Sequence, residues 1–194
     1  MLLIDIFQHP LMPISQRYKQ LGLYADKGNN LKSILLKKNL ISSVVISAGT
    51  QRIKLFELTA LGKQYLRDHG IDTSVSQRKG SLLHQYWCKK AQEYFQKNGF
   101  GVLEEIAIGK GKAVDLVAIK GKQRVAIEIE TGKSDFVSNI KKCAEGNFEK
   151  IVVIATSSKV KRNIEETVAQ HNMNDLPIIV VTGNEMIKLF VDGT

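Results

Sequence analysis

No apolar run in the sequence approaches the ~20 residues that a membrane-spanning helix needs, and the opening MLLIDIFQHP lacks the basic-then-apolar order of a secretory signal. A cytoplasmic location and no membrane partner are therefore expected. Cysteine is scarce. Cys88 and Cys143 form no CxxC pair, and neither reads as sitting at metal-ligand spacing from a histidine, so both are expected to be reduced, semi-buried, small apolar residues. The four histidines, His9, His69, His84 and His171, are scattered and show no evident partner, which argues against serine or cysteine nucleophile schemes. A complete phosphate-binding loop is missing as well. Thr131-Gly132-Lys133-Ser134 imitates the end of one, but the glycine required five residues earlier is replaced by Ile127, inside a β run.

What the chain has in excess is positive charge. Its 28 lysines and arginines outnumber 19 acids, for a formal charge of +9, and they are spread along 194 residues rather than gathered in a tail. A folded surface that meets a polyanion fits this distribution, and nucleic acid is the first partner to consider. The hydrophobic content of 43% suffices for one large core or two small ones.

The N-terminal half reads as helix, turn, helix, hairpin, helix. Ser15 is expected to cap a short helix through Leu21, and a second helix runs from about Lys27 to Asn39 with Leu31, Ile34 and Leu35 on its buried face. Two β-rich runs, Ser43–Ser47 and Arg52–Leu58, are joined by Ala48-Gly49-Thr50-Gln51 as a hairpin. Thr59 then caps a helix from Ala60 to Asp68, with Leu61, Tyr65 and Leu66 expected to face inward. This layout, with the stretch NLI…IKLFELTALGKQYL, resembles the winged helix-turn-helix family over residues 8–70. The resemblance implies that the second helix enters the major groove and the hairpin touches the backbone. It assigns Asn29, Asn30, Lys32, Ser33 and Lys37 to the groove and Arg52 and Lys54 to the wing. Asparagine can read adenine edges, whereas lysine mostly supplies phosphate contacts.

The first domain is thus placed at 1–72 and a polar linker at 73–80, within IDTSVSQRKG. A second domain, 81–194, has a different pattern. A helix over 81–97, burying Leu83, Trp87, Tyr94 and Phe95, precedes β runs near 101–108, 112–119 and 123–130. A helix near 134–145, a strand at 151–156, a helix near 158–171 and a strand at 178–182 follow, with a last helix at 185–190. The order αβββαβαβ implies an α/β fold with a mixed sheet. Gly109-Lys110-Gly111-Lys112 reads as a basic turn that brings Lys110 and Lys112 to DNA.

The segment GKAVDLVAIKGKQRVAIEIETGKSD carries the chemistry. Period two puts Val125, Ile127 and Ile129 on one face of a strand and Glu128 and Glu130 on the other. If Gly121-Lys122 is a two-residue turn, Lys120 pairs with Gln123, and counting back sets Asp115 opposite Glu128. Three converging acids repel one another, and a bound cation removes that penalty. Magnesium, or manganese in its place, takes hard oxygen ligands and keeps several waters, so Asp115, Glu128 and Glu130 are candidate metal ligands.

These residues resemble the motif of the PD-(D/E)XK, or restriction endonuclease-like, nuclease superfamily over about residues 80–182. Asp115 in VDLVA matches the first acid and Glu128 in AIEIE the second. Glu130 departs from the lysine that most members carry, and the resemblance lets a neighbouring lysine, Lys133 at the start of the next helix or Lys112, take that role. It also points to His84, Gln85 or Glu93 on the leading helix and to Asn139 on the helix after the acids. The activity it implies is a magnesium-dependent DNA endonuclease, with catalytic Asp115, Glu128, Glu130 and Lys133. Cutting both strands would suit a homodimer. The alternative is a non-catalytic DNA-binding or recruitment protein on a decayed nuclease fold. IEIETGKSD beside a winged helix also resembles the ends of some DNA-translocating ATPases, which suggests an ATPase partner.

Overall fold

The computed structural model describes residues 1–48, 51–74, 80–109, 112–173 and 175–186, with the side chains of Ala48, Gln51, Gly109 and Lys112 excepted. Among the described residues the chain is a mixed α/β protein with seven helices and seven strands in two sheets. None of these helices is long and apolar enough to cross a membrane. The chain divides into two compact units, Met1–Gln85 and Tyr86–Thr194. Of the linker expected at 73–80, residues 75–79 lie outside the described set, as do Gly49, Thr50 and 187–190 of the expected last helix.

The first unit contains α1 (Leu2–Gln8), α2 (Ile14–Gln20), α3 (Ala25–Lys37), β1 (Ile41–Ala48), β2 (Gln51–Leu58) and α4 (Ala60–Asp68). Helix α1 was not expected from the sequence. It has no side-chain cap, and it holds together by burying Leu2, Leu3 and Ile6 in a core with Tyr18, Phe56 and Leu66. Helix α2 starts two residues earlier than a Ser15 cap allows, because the extended Pro13 holds the N-cap position. Thr59 does cap α4, accepting from the Gly62 N–H at 3.0 Å.

Three inward assignments in this unit are corrected. Leu61 and Tyr65 are 52% and 44% exposed, and Ile34 on α3 is 41% exposed. Helix α4 packs through Gly62 and Leu66 instead. A Cβ on Gly62 would fall 1.9 Å from the Leu40 carbonyl oxygen, so the α4 backbone approaches the β1 entry on that side and turns Leu61 and Tyr65 outward.

In the second unit, α5 (Leu82–Lys97) is an unbroken helix that begins just before the division. It leads to β3 (Gly101–Gly109), β4 (Lys112–Lys120), β5 (Gln123–Glu130), α6 (Phe136–Glu145), β6 (Lys150–Ala155), α7 (Ser158–Gln170) and β7 (Ile178–Thr182). The sheet order is β3-β4-β5-β6-β7, antiparallel through β5 and parallel from β5 to β7. Gly121 adopts φ 59 in the two-residue turn between β4 and β5, the positive value that a type II′ hairpin places first, and Lys120 pairs with Gln123 as expected. Ala126, Val153 and Ala155 pack with Ile140 and Cys143 of α6 and Ile164 of α7. On β5 the residues that alternate with these, Val125, Ile127 and Ile129, are also buried, so the strand is covered on both faces.

The first unit depends on a buried ion pair. Arg17, fully buried on α2, donates to the Asp5 carboxylate of α1 and to the carbonyls of His9 at 2.7 Å and Met12 at 3.1 Å. Removing the cation leaves Asp5 charged in an apolar core. Arg17→Met is expected to lower the stability of this unit by about 3–5 kcal/mol, and Asp5→Leu added to it is expected to restore much of the loss. Urea unfolding of the full chain followed by circular dichroism checks both; an unchanged midpoint for Arg17→Met would show that the pair contributes nothing.

Candidate metal centre

Strand β5 puts two carboxylates into the interface between the sheet and α6. Glu128 and Glu130 are each only 2% exposed, and they share the Ala126 face of the strand. Burying a carboxylate in an apolar layer is costly unless each oxygen finds a partner. Helix α6 supplies most of them. Lys142 approaches Glu128 Oε1 at 3.1 Å, with Cys143 Sγ 3.5 Å from the same oxygen. Asn139 donates to Glu130 Oε1 at 2.9 Å, and the Ser134 hydroxyl donates to Glu130 Oε2. Asn139, Lys142 and Cys143 lie three and four positions apart, on one face of the helix.

Asp115 completes the group from β4. The β4–β5 ladder runs from Lys120↔Gln123 to Leu116↔Ile127, and one further step sets Asp115 against Glu128. At that step the half-buried Asp115 carboxylate accepts the Ile129 N–H at 2.9 Å through Oδ2, taking the place of a ladder carbonyl. Burial first, and Asp115 second, hold the Glu128 carboxyl up at about 7, against the pull of Lys142. Burial and the same Glu128 push the Cys143 thiol up, so it stays protonated. Asp115 and Glu128 therefore meet as expected, whereas Glu130 has a hydrogen bond on each oxygen and serves to anchor α6 and the loop before it.

Lys133 is placed differently from expectation. Helix α6 begins at Phe136 with Asp135 as its cap, so Lys133 lies exposed in the preceding loop rather than in a first helical turn. Lys142 is the cation at the acids, and it also donates to the Ala113 carbonyl at 2.5 Å. Two helical turns separate it from the loop, which is why scanning beside the motif missed it; its i+3 relation to Asn139 was the available signal. Lys110 lies outside the described residues, and only the backbone of Lys112 is described.

Helix α5 contributes differently from expectation. Glu93 pairs with Lys90 at 2.6 Å on the surface, and Gln85 donates to the Gly80 carbonyl at 3.0 Å. His84 and Cys88, one turn apart on this helix, and Asp115 each offer a ligand atom, and these atoms lie within 4.8 Å of one another. The His-x-x-x-Cys spacing is present in the sequence, but Asp115 joins it only when β4 is in place.

In the first unit, Asn29 accepts from Lys32 at 2.7 Å and from the Tyr18 hydroxyl at 3.3 Å. Asn29, Asn30, Lys37, Arg52 and Lys54 are exposed, and Lys32 and Ser33 are half-buried. Arg52 and Lys54 pair with Ser47 and Val45 across the hairpin, and Lys54 stands 5.8 Å from the Phe56 ring centroid.

No protein-family model matches the chain, and no curated protein does. It is similar to a solved structure described as a protein of unknown function, AF1548, at 11% identity and a TM-score of 0.33. That likeness covers 48% of this chain and 57% of the other's length, and it carries no argument about activity.

The raised Glu128 carboxyl has a consequence for stability. Its folded value of about 7 exceeds the ordinary 4.5, so the folded state holds the proton more tightly. The associated stability is complete below pH ~4.5 and is lost as pH rises to about 7, a total of roughly 3 kcal/mol. Urea midpoints measured from pH 4 to pH 8 in chelator are expected to fall over that window, and Glu128→Gln is expected to flatten the curve. A wild-type midpoint that holds level across the window would contradict a protonated, buried Glu128.

Proposed function

We propose that this chain is a metal-dependent DNA endonuclease, with a winged helix-turn-helix in the first unit and a PD-(D/E)XK nuclease core in the second. The observation that carries the reading is the meeting of Asp115 and Glu128 where the β4–β5 ladder ends, one of them half-buried and the other pushed toward neutrality. The element order α5-β3-β4-β5-α6-β6-α7-β7 supports it, as do the helix, hairpin and helix of the first unit.

The residues fit a hard cation. Burial and the neighbouring Asp115 raise the proton affinity of Glu128, an ion bound there would let it ionise, and carboxylate oxygens suit magnesium or manganese. Asp115 and Glu128 would hold it, and when bound it supplies an activated water and charge neutralisation at the scissile phosphate. Glu130, through Ser134 and Asn139, fixes α6 at the site. Lys142, held over Glu128 by the Ala113 carbonyl, occupies the place of the motif lysine and steadies negative charge building on the phosphate. Exposed Asn30, Lys37, Arg52 and Lys54 bring duplex DNA to the protein. Cutting both strands needs two such sites, which a homodimer supplies.

One observation favours a second reading, a non-catalytic DNA-binding protein on a decayed nuclease fold: the Lys142 ammonium already offsets Glu128 without any metal. Plasmid nicking decides between them. Wild-type protein with magnesium or manganese is expected to cut, and Asp115→Ala is expected to lose at least the ~100-fold typical of disturbing a metal site's outer sphere. Absence of metal-dependent cutting by wild type would favour the second reading. Arg52→Ala with Lys54→Ala is expected to flatten the logarithmic salt dependence of duplex binding by about 2, at ~0.9 per phosphate contact. An unchanged slope would remove the hairpin from the DNA interface.

A further inference from the structure

Asp115 has two different sets of neighbours. Its charge acts on Glu128, and its carboxylate also lies close to an imidazole and a thiol from a single helix. His84 and Cys88 are four residues apart on the unbroken α5, the spacing that puts two side chains on one helix face. The ligand atoms of His84, Cys88 and Asp115 lie within 4.8 Å of one another, and all three residues are half-buried.

We propose that His84, Cys88 and Asp115 form a binding site for a borderline-soft divalent cation of the zinc type, separate from the hard-cation site and sharing Asp115 with it. Bond lengths of ~2.0–2.3 Å in a tetrahedral zinc site set ligand atoms roughly 3.3–3.8 Å apart, so small rotations of these side chains bring the three into coordination. Three protein ligands of mixed nitrogen, sulfur and oxygen character, with partial exposure, leave the fourth position to water. Magnesium is disfavoured at this set, since it takes oxygen ligands in octahedral geometry. Binding requires the thiolate: the cation displaces the Cys88 proton, which leaves to solvent, while His84 coordinates as the neutral imidazole. A cation there takes up the Asp115 carboxylate that the hard-cation site would use, so zinc occupancy suppresses hydrolysis at the acids. That consequence rests on the nuclease reading; the site does not.

Cobalt(II) added to the reduced full-length chain is the probe. One equivalent is expected to give thiolate-to-cobalt charge-transfer absorption that zinc abolishes and magnesium leaves intact. Cys88→Ser, checked for folding by circular dichroism, is expected to lose the band; His84→Ala is expected to weaken cobalt binding by ~10-fold or more; Glu128→Gln is expected to keep it. No thiolate band in wild type, or a band that survives Cys88→Ser and so belongs to Cys143, overturns the site. Zinc is further expected to inhibit magnesium-dependent plasmid cleavage by wild type and to lose that effect in Cys88→Ser. Equal inhibition of the two proteins overturns the coupling, whereas a wild type that never cuts sinks the nuclease reading and leaves the cobalt result to decide the site.

Discussion

The second unit is organised around the cost of putting carboxylates inside it. Two glutamates on β5 point into a layer made otherwise of Ala126, Val153, Ile140 and Ile164, where a charge without a partner is worth several kcal/mol of destabilisation. The position of α6 follows from that cost. Its Asn139, Lys142 and Cys143 are spaced to meet both acids, and the loop before it sends Ser134 back to Glu130. The compensation is incomplete at Glu128, where burial and the neighbouring Asp115 outweigh the pull of Lys142.

The first unit solves a similar problem with a closed answer. Asp5 and Arg17 are both buried, and the guanidinium also takes two backbone carbonyls that end or follow α1. A fork of five donors suits this job better than an ammonium would, since it can satisfy a carboxylate and the chain around it at once. The pair ties α1 to α2, whereas in the second unit the Lys142 ammonium only partly offsets the burial of Glu128.

The hairpin that carries the acids was legible because its turn is short. Gly121-Lys122 fixes the register, and period two then assigns the face of every residue on β4 and β5. The helices of the first unit were less so. α1 has neither cap nor polar face, and its one acid is neutralised by a residue twelve positions away, a partner that no local pattern announces. Leu61 and Tyr65 follow a helical period that α4 does not use, because Gly62 lets its backbone approach Leu40. The His84 and Cys88 spacing was visible, but its meaning depended on Asp115 arriving from a strand, which only the assembled sheet supplies.

The bond from the Ile129 amide to Asp115 links the backbone of β5 to the charge on a side chain of β4. An amide held by a carboxylate is polarised in proportion to that carboxylate's ionisation. The nitrogen resonance and exchange protection of this single peptide group thus form a built-in spectroscopic gauge, one that reads the electrostatic surroundings of Asp115 from within the strand without any added label.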